Sequence, residues 1–286
     1  MKKPLLLLLI ITCTFSYSQK KILKTVLIKG GITIDGNLDE SQWQNAPIAK
    51  DFFMFAPDNG KEVAKEKDTE VRILYDNEAI YIGAILLDPE PNKILKELTQ
   101  RDDQGTSDNF GVFINGFNDG QQDFRFFCSA SGTQLDCLAT DSNGEDFTWD
   151  AIWSSKTKIT DKGWVVEMKI PYAALRFSNN KVQTWGINFV RDLKRENSIY
   201  AWNKVDNKVN NVIQQAGNLE GIENIKSPTR LFFMPYSSFY LNANDAQKTK
   251  GTLKGGMDIK YGINDAFTLD AILIPDFGQT KYDDQI

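Results

Sequence analysis

Three kinds of side chain in this sequence are placed to do chemistry. Carboxylates crowd Arg101-Asp-Asp-Gln-Gly-Thr-Ser-Asp108 and Asp141-Ser-Asn-Gly-Glu-Asp146. In the second loop Asp141, Asn143 and Asp146, with a turn-permitting glycine between them, offer the oxygen ligands that Ca²⁺ takes, although neither loop has the full spacing of a calcium-binding signature. Tryptophans follow at Trp149 and Trp153, evenly spaced on one strand face, with another at Trp202. An indole face can stack on the C–H face of a sugar, or it can simply fill a core. Arg125, in Asp123-Phe-Arg-Phe126, suits a polar ligand contact, or equally a structural pairing with Asp123 or Asp108. Asp108 and Asp150 make a formal pair of the kind a glycosidase uses, but nothing in their spacing prefers them over other pairs.

Histidine is absent from all 286 residues, which removes Ser/His/Asp and Cys/His nucleophilic catalysis, the common zinc sites and His-ligated haem. The net charge of −5 speaks against a nucleic-acid partner. The chain opens with Met1-Lys-Lys and a short leucine-rich run, too brief to span a bilayer as a helix. That pattern predicts a signal peptide over residues 1–19 and an exported protein; a lipidated Cys13 is the alternative. Export permits a disulfide between Cys128 and Cys137. A two-residue turn at Gly132-Thr133 sets the two cysteines opposite each other, and a turn centred one residue earlier misaligns them.

The elements that must carry these groups are strands. Almost every periodic segment alternates with period two. In Gly163–Ile170, Trp164, Val166, Met168 and Ile170 share a core face, while Glu167 and Lys169 point away. Val71–Tyr75 and Ile80–Leu87 flank the turn formers Asp76-Asn-Glu and predict a hairpin, its second arm apolar on both faces. Further strands are expected at Phe110–Ile114, Asp123–Cys128, Gln134–Thr140, Ile152–Ile159 and Trp185–Arg191, with one helical turn after Pro171. This predicts an all-β fold, a two-sheet sandwich of the immunoglobulin or jelly-roll kind over residues 20–225. From residue 226 to 286 the strands Leu231–Leu241, Met257–Ile263 and Phe267–Ile274 alternate more strictly, as in a transmembrane β-barrel. The bland alternative is a few extra strands packed on the sandwich. A closed barrel needs about eight strands, so the expectation is the beginning of an incomplete one.

Several of these segments resemble a known family. Ile32-Thr-Ile-Asp-Gly-Asn-Leu-Asp-Glu-Ser-Gln-Trp43, Asp68 to Asp88, and Thr160 to Phe177 look like a family 9 carbohydrate-binding module, a DOMON-like β-sandwich. Together with Asp258-Ile-Lys-Tyr-Gly262 and Pro275-Asp-Phe-Gly-Gln279, they are similar to exported Bacteroidota-type proteins in which such a module precedes an outer-membrane barrel. The resemblance implies a non-catalytic module that binds a carbohydrate or related small ligand, tied to the periplasm and outer membrane and to polysaccharide binding or breakdown. It also implies structural calcium. Sugar-binding members hold the sugar between two tryptophans, and here Gly105 and Asn210 stand at those positions. Gly111 stands where a sugar-binding glutamate would be. Arg125 matches a sugar-contacting arginine and Asn207 a polar contact; Asp108, Trp149 and Trp202 complete the candidate ligand residues. The competing readings are a structural plug or assembly domain for the barrel that binds no sugar, and a glycosyl hydrolase.

Overall fold

The computed structural model describes residues 20–244, 247–263 and 267–274, with side chains described outside 242–250. The expected signal peptide, Cys13 and the Pro275–Gln279 motif lie outside the described residues. Two sheets face each other across one apolar core. The first runs in the order Ile22–Lys24, Gly217–Glu223, Val182–Leu193, Asn109–Asn115, Gln122–Ser129, Gln134–Thr140, Gly144–Asp146, with Ser198–Ala201 and Phe53–Ala56 attached beside Val182–Leu193. The second runs Ser154–Thr160, Gly163–Pro171, Ala79–Leu87, Thr69–Tyr75, Val26–Leu27, and Ile48–Ala49 also pairs with Thr69–Tyr75. Period-two alternation places Phe110, Val112, Ile114, Phe126, Ile187 and Phe189 of the first sheet against Ile73, Ile82, Leu86, Val166 and Met168 of the second.

The N-terminal segment ties the sheets together. Ile22–Lys24 pairs in parallel with Gly217–Glu223, and two residues later Val26–Leu27 pairs in parallel with Thr69–Tyr75. At the crossover the Thr25 amide donates to Glu220 O (2.9 Å) and its hydroxyl to Ile73 O (2.9 Å). Gly221, at φ +94°, lets the Thr25 backbone pass; a Cβ there would lie 2.9 Å from Thr25 O.

The next segment, Ile28 to Ala46, covers the outer face of the second sheet. Ile28, Ile32, Trp43 and Ala46 form a second small core with Leu74, Ala79 and Tyr81. Glu40 organises it, accepting from the Thr33 amide (3.0 Å) and from Trp43 Nε1 (3.1 Å). Leu38 and Trp43 press onto Gly83, where a Cβ would meet Leu38 Cδ2 at 2.5 Å. This cover explains why Ala79–Leu87 is apolar on both faces. It also corrects the expectation for Gly163–Pro171: Glu167 points away from the main core as the alternation requires, yet it is fully buried. Its Oε2 accepts the amides of Asp35 (2.9 Å) and Gly36 (2.7 Å), the turn at the heart of the Ile32–Trp43 motif.

Two further expectations change. Cys128 pairs with Gln134 and Cys137 with Arg125, so the cysteines are out of register and on opposite faces, and both are free thiols. The turn spans Ser129–Thr133, with the Gly132 amide on Ser129 O (2.8 Å), and is centred on Ser131, earlier than the Gly132-Thr133 centre that would align the cysteines. The Ile152–Ile159 strand begins at Ser154, leaving Trp149 and Trp153 in the connection before it. Beyond the sandwich, Leu231–Asn244, Gln247–Gly262 and Thr268–Leu273 form a three-stranded antiparallel sheet. Among the described residues it is open and no closed barrel is formed. Its register puts Leu231, Phe233, Phe239, Leu253, Tyr261, Leu269 and Leu273 on one face, all substantially exposed.

Burial pushes the Glu167 carboxyl up to about 7, against the pull of the Gly36 and Asp35 amides. A carboxyl raised in the folded state favours the protonated fold, so its stabilising share is complete below the ordinary value near 4.5 and is lost as pH rises towards 7. Denaturant melts across pH 4.5–7.5 should therefore show stability falling with pH, and Glu167→Gln should flatten that slope. An unchanged slope in the variant would contradict this account of the buried turn.

Candidate functional site

The outer face of the second sheet is covered at Leu74, Ala79, Tyr81 and Gly83, whereas the outer face of the first sheet carries an opening. A cavity of about 360 Å³ lies there. Its floor comes from alternate residues of three neighbouring strands: Asn109 and Phe113, Arg125 and Phe127, Asn188 and Val190. Phe55 and the connection carrying Val205, Val212 and Ile213 wall one side, and Glu145 with Phe147 the other.

Arg125 is central to the floor. Its Nε meets Asp123 Oδ1 at 2.7 Å, its Nη1 meets Glu145 Oε1 at 2.8 Å, and the guanidinium lies 4.2 Å from the Phe113 ring centroid. Burial works against its charge, but the Asp123 and Glu145 carboxylates outweigh it and hold the group more firmly protonated than usual. Phe113 and Phe127 meet edge to face at 5.5 Å. They occupy the space above Gly111, where a Cβ would stand 2.7 Å from the Phe127 ring, so aromatic surface replaces the expected acidic side chain. Gly105 is likewise built for glycine: its φ is +51°, and a Cβ would sit 2.5 Å from Thr99 Cγ2. Asn210 is exposed on the connection that walls the cavity.

The other candidates fall in different places. Asn207 is exposed, and its Nδ2 donates to the carbonyl of Phe55 (2.8 Å), holding a cavity wall. Trp202 is 3% exposed and packs into the core against Phe189, 5.5 Å between centroids. Asp108 is buried at the end of the sandwich, where Oδ1 accepts the Lys194 amide (3.0 Å) and burial pushes the carboxyl up to about 6. Beside it Arg191, buried between the sheets, donates to Lys67 O (2.6 Å) and Leu87 O (2.8 Å), and Arg195 chelates Asp88 at 2.7 and 2.8 Å. Trp149 is half-buried against Phe124 and Phe126, and with Asp150 it lines a second cavity of about 700 Å³ between the sandwich and the three-stranded sheet. Asp108 and Asp150 thus belong to different surroundings.

Asp141, Asn143 and Asp146 are all exposed, and Asp146 Oδ1 is already taken by the Thr148 amide (3.0 Å) and hydroxyl (2.6 Å). Carboxylates do converge at Asp102, Asp136 and Asp150, within 4.8 Å of one another, but Arg101 lies among them and pairs with each. Asp136, fully buried, also accepts from Trp153 Nε1 (3.1 Å) and the Ala151 amide (2.5 Å), and burial pushes it up to about 6.

Asn109, Phe113 and Phe127 were not singled out from the sequence. The signal lay in Asn109-Phe-Gly-Val-Phe-Ile-Asn115 and Gln122-Asp-Phe-Arg-Phe-Phe-Cys-Ser129, where aromatic residues occupy both parities. A strand apolar on both faces has something to cover on each.

The fold and this face define the class. The profile described as carbohydrate family 9 binding domain-like matches residues 34–217, and the chain belongs to that family. Residues 227–286 match a second profile, described as a domain of unknown function (DUF5916). Among solved structures the chain is similar to a family 9 carbohydrate-binding module from Caldicellulosiruptor kristjanssonii in complex with cellotriose, at 16% identity, covering 70% of this chain and 93% of that one with a TM-score of 0.50. The glucose complex from the same organism matches at 16% identity over 73% and 100%, TM-score 0.51. A protein from Bacteroides uniformis described as carbohydrate-binding matches at 11% identity over 71% and 99%, TM-score 0.57. At such identities the likeness is one of fold. None of the curated proteins matches the chain.

Removing Arg125 leaves the buried Asp123 carboxylate without its partner. Arg125→Ala should therefore cost about 3 kcal/mol or more in denaturant unfolding, and an Asp123→Asn/Arg125→Met pair should recover most of it. A near-neutral Arg125→Ala would show that the ion pair does not support the cavity floor.

Proposed function

We propose that residues 20–225 form a non-catalytic carbohydrate-binding module whose ligand occupies the cavity on the outer face of the first sheet. The observation that carries this reading is the cavity's floor, in which Phe113 and Phe127 give an apolar platform beside the charged Arg125 network. A sugar ring presents an apolar C–H face and a polar rim, and such a floor suits both. Family membership and the sugar complexes of the structural neighbours support it. Titration calorimetry of the whole chain against glucose, cellotriose and a wider glycan panel should detect binding, and filling the cavity with Val190→Trp should abolish it. Absence of binding to any glycan at millimolar concentration would defeat the sugar reading.

The protein in this proposal is exported, and its three-stranded sheet begins an outer-membrane barrel. The exposed apolar face from Leu231 to Leu273 supports this, since lipid-facing strands carry apolar residues on one side and polar ones on the other. In fractionated cells the chain should remain with outer membranes through high-salt washes and be released only by detergent. Recovery in the soluble fraction would overturn the barrel half of the proposal, leaving the module untouched.

A further inference from the structure

Charge on the cavity lining does not cancel. The charged side chains there are Asp123, Arg125, Glu145, Asp192 and Lys194. Arg125 grips Asp123 through Nε (2.7 Å) and Nη2 (3.4 Å), and Lys194 pairs with Asp192 at 2.7 Å. Those two pairs balance, and Glu145 is left over. Its Oε1 accepts Arg125 Nη1 (2.8 Å), while among the described residues its Oε2 has no hydrogen-bond partner, and the side chain is 37% exposed. Glu145 belongs to the short strand Gly144–Asp146, and residues 141–146 carry the carboxylates of Asp141, Glu145 and Asp146 with no basic side chain among them.

Aromatic rings surround this surplus charge. Phe113 and Phe127 form the floor, Phe147 stands two residues beyond Glu145, and Phe55 walls the other side. Ring faces attract cations, and the weakly polar walls of a cavity strengthen the field of a carboxylate within it. A ligand of neutral hydroxyls would use the free oxygens of Glu145 and Asp192, and the exposed Gln104 amide, only as hydrogen-bonding atoms. It would leave the charge unmatched. We propose, resting on the carbohydrate reading above, that the cavity selects an amino sugar whose amine is free and protonated. The ammonium donates to Glu145 Oε2 beside the phenylalanine rings, and hydroxyls of the sugar fall to Asp192 and Gln104. Glu145 is then a specificity-determining residue, and an N-acetylated sugar, which carries no charge, loses the advantage.

The test is calorimetry of the whole chain at about pH 6, where a sugar amine is protonated, and in about 0.15 M salt. The panel is cellotriose with glucose, galactose and mannose, and the free-amine and N-acetylated forms of glucosamine, galactosamine and mannosamine. At least one free amino sugar should bind about tenfold or more tighter than both its parent sugar and its N-acetylated form. Glu145→Gln keeps an acceptor for Arg125 and removes the charge, so it should cut that ratio about fivefold or more. Parent or N-acetylated sugars binding as tightly as every free amino sugar would overturn the inference and leave the carbohydrate reading standing. A ratio unchanged in a folded Glu145→Gln would do the same. If nothing in the panel binds at millimolar concentration, the inference falls together with the carbohydrate reading. The wild-type panel decides the matter even if the Glu145 variant does not fold.

Discussion

Glu167 is an acidic side chain on the outward face of Gly163–Pro171, and its hold on the amides of Asp35 and Gly36 pins the segment that covers the second sheet. A two-sheet sandwich has two outer faces, and an exposed apolar strand such as Ala79–Leu87 needs a cover. The Ile32–Trp43 motif supplies it, pinned by Glu167 at one end and by Trp43 against Gly83 at the other. Burying a carboxyl is costly, and burial has already raised this one's affinity for its proton. What the arrangement secures is position: the buried Gly36 amide and its neighbour at Asp35 are both satisfied by a single side chain. The centre of the second sheet's outer face is thereby filled, while the first sheet's outer face keeps its cavity.

Charged groups close the end of the sandwich in a similar way. Arg191 reaches from the first sheet to the carbonyls of Lys67 and Leu87 at the margin of the second, while Arg195 chelates Asp88 beside it. Opposing pulls act on Asp88: burial raises its carboxyl, and the Arg195 contacts and Glu90 amide bring it down below the ordinary value. Asp108, nearby but without a guanidinium bonded to it, moves the other way. These groups fasten edges, which explains why Asp108, conspicuous in the sequence, is absent from the cavity.

Strand positions were legible because alternation is a local property. Gln134–Thr140 falls where the pattern places it, and the hairpin of Thr69–Tyr75 with Ala79–Leu87 differs by a residue or two at its ends. The burial of Glu167 was not legible, because its cover arrives from residues more than a hundred positions away. Cysteine register turned on the centre of one short turn, which the Ser129 to Thr133 hydrogen bonds set and composition alone does not. For the site, the resemblance drew attention to Arg125, which does line the cavity, and to Trp202, whose ring packs inward instead. Asn109 escaped notice because an asparagine at a strand start reads as a turn residue; only the geometry shows one of its amide atoms paired and the other not.

The N-terminal strand has a consequence for how the molecule is made. Ile22–Lys24 finds its sheet partner only in Gly217–Glu223, on the far side of the domain's sequence. During synthesis those first residues wait, unpaired, until nearly the whole sandwich has emerged. The first sheet thus keeps an open edge at Gly217–Glu223 until the last long loop is closed, and contacts this distant in sequence form slowly. A domain whose first strand pairs with its last cannot complete that sheet until the whole sandwich has been made.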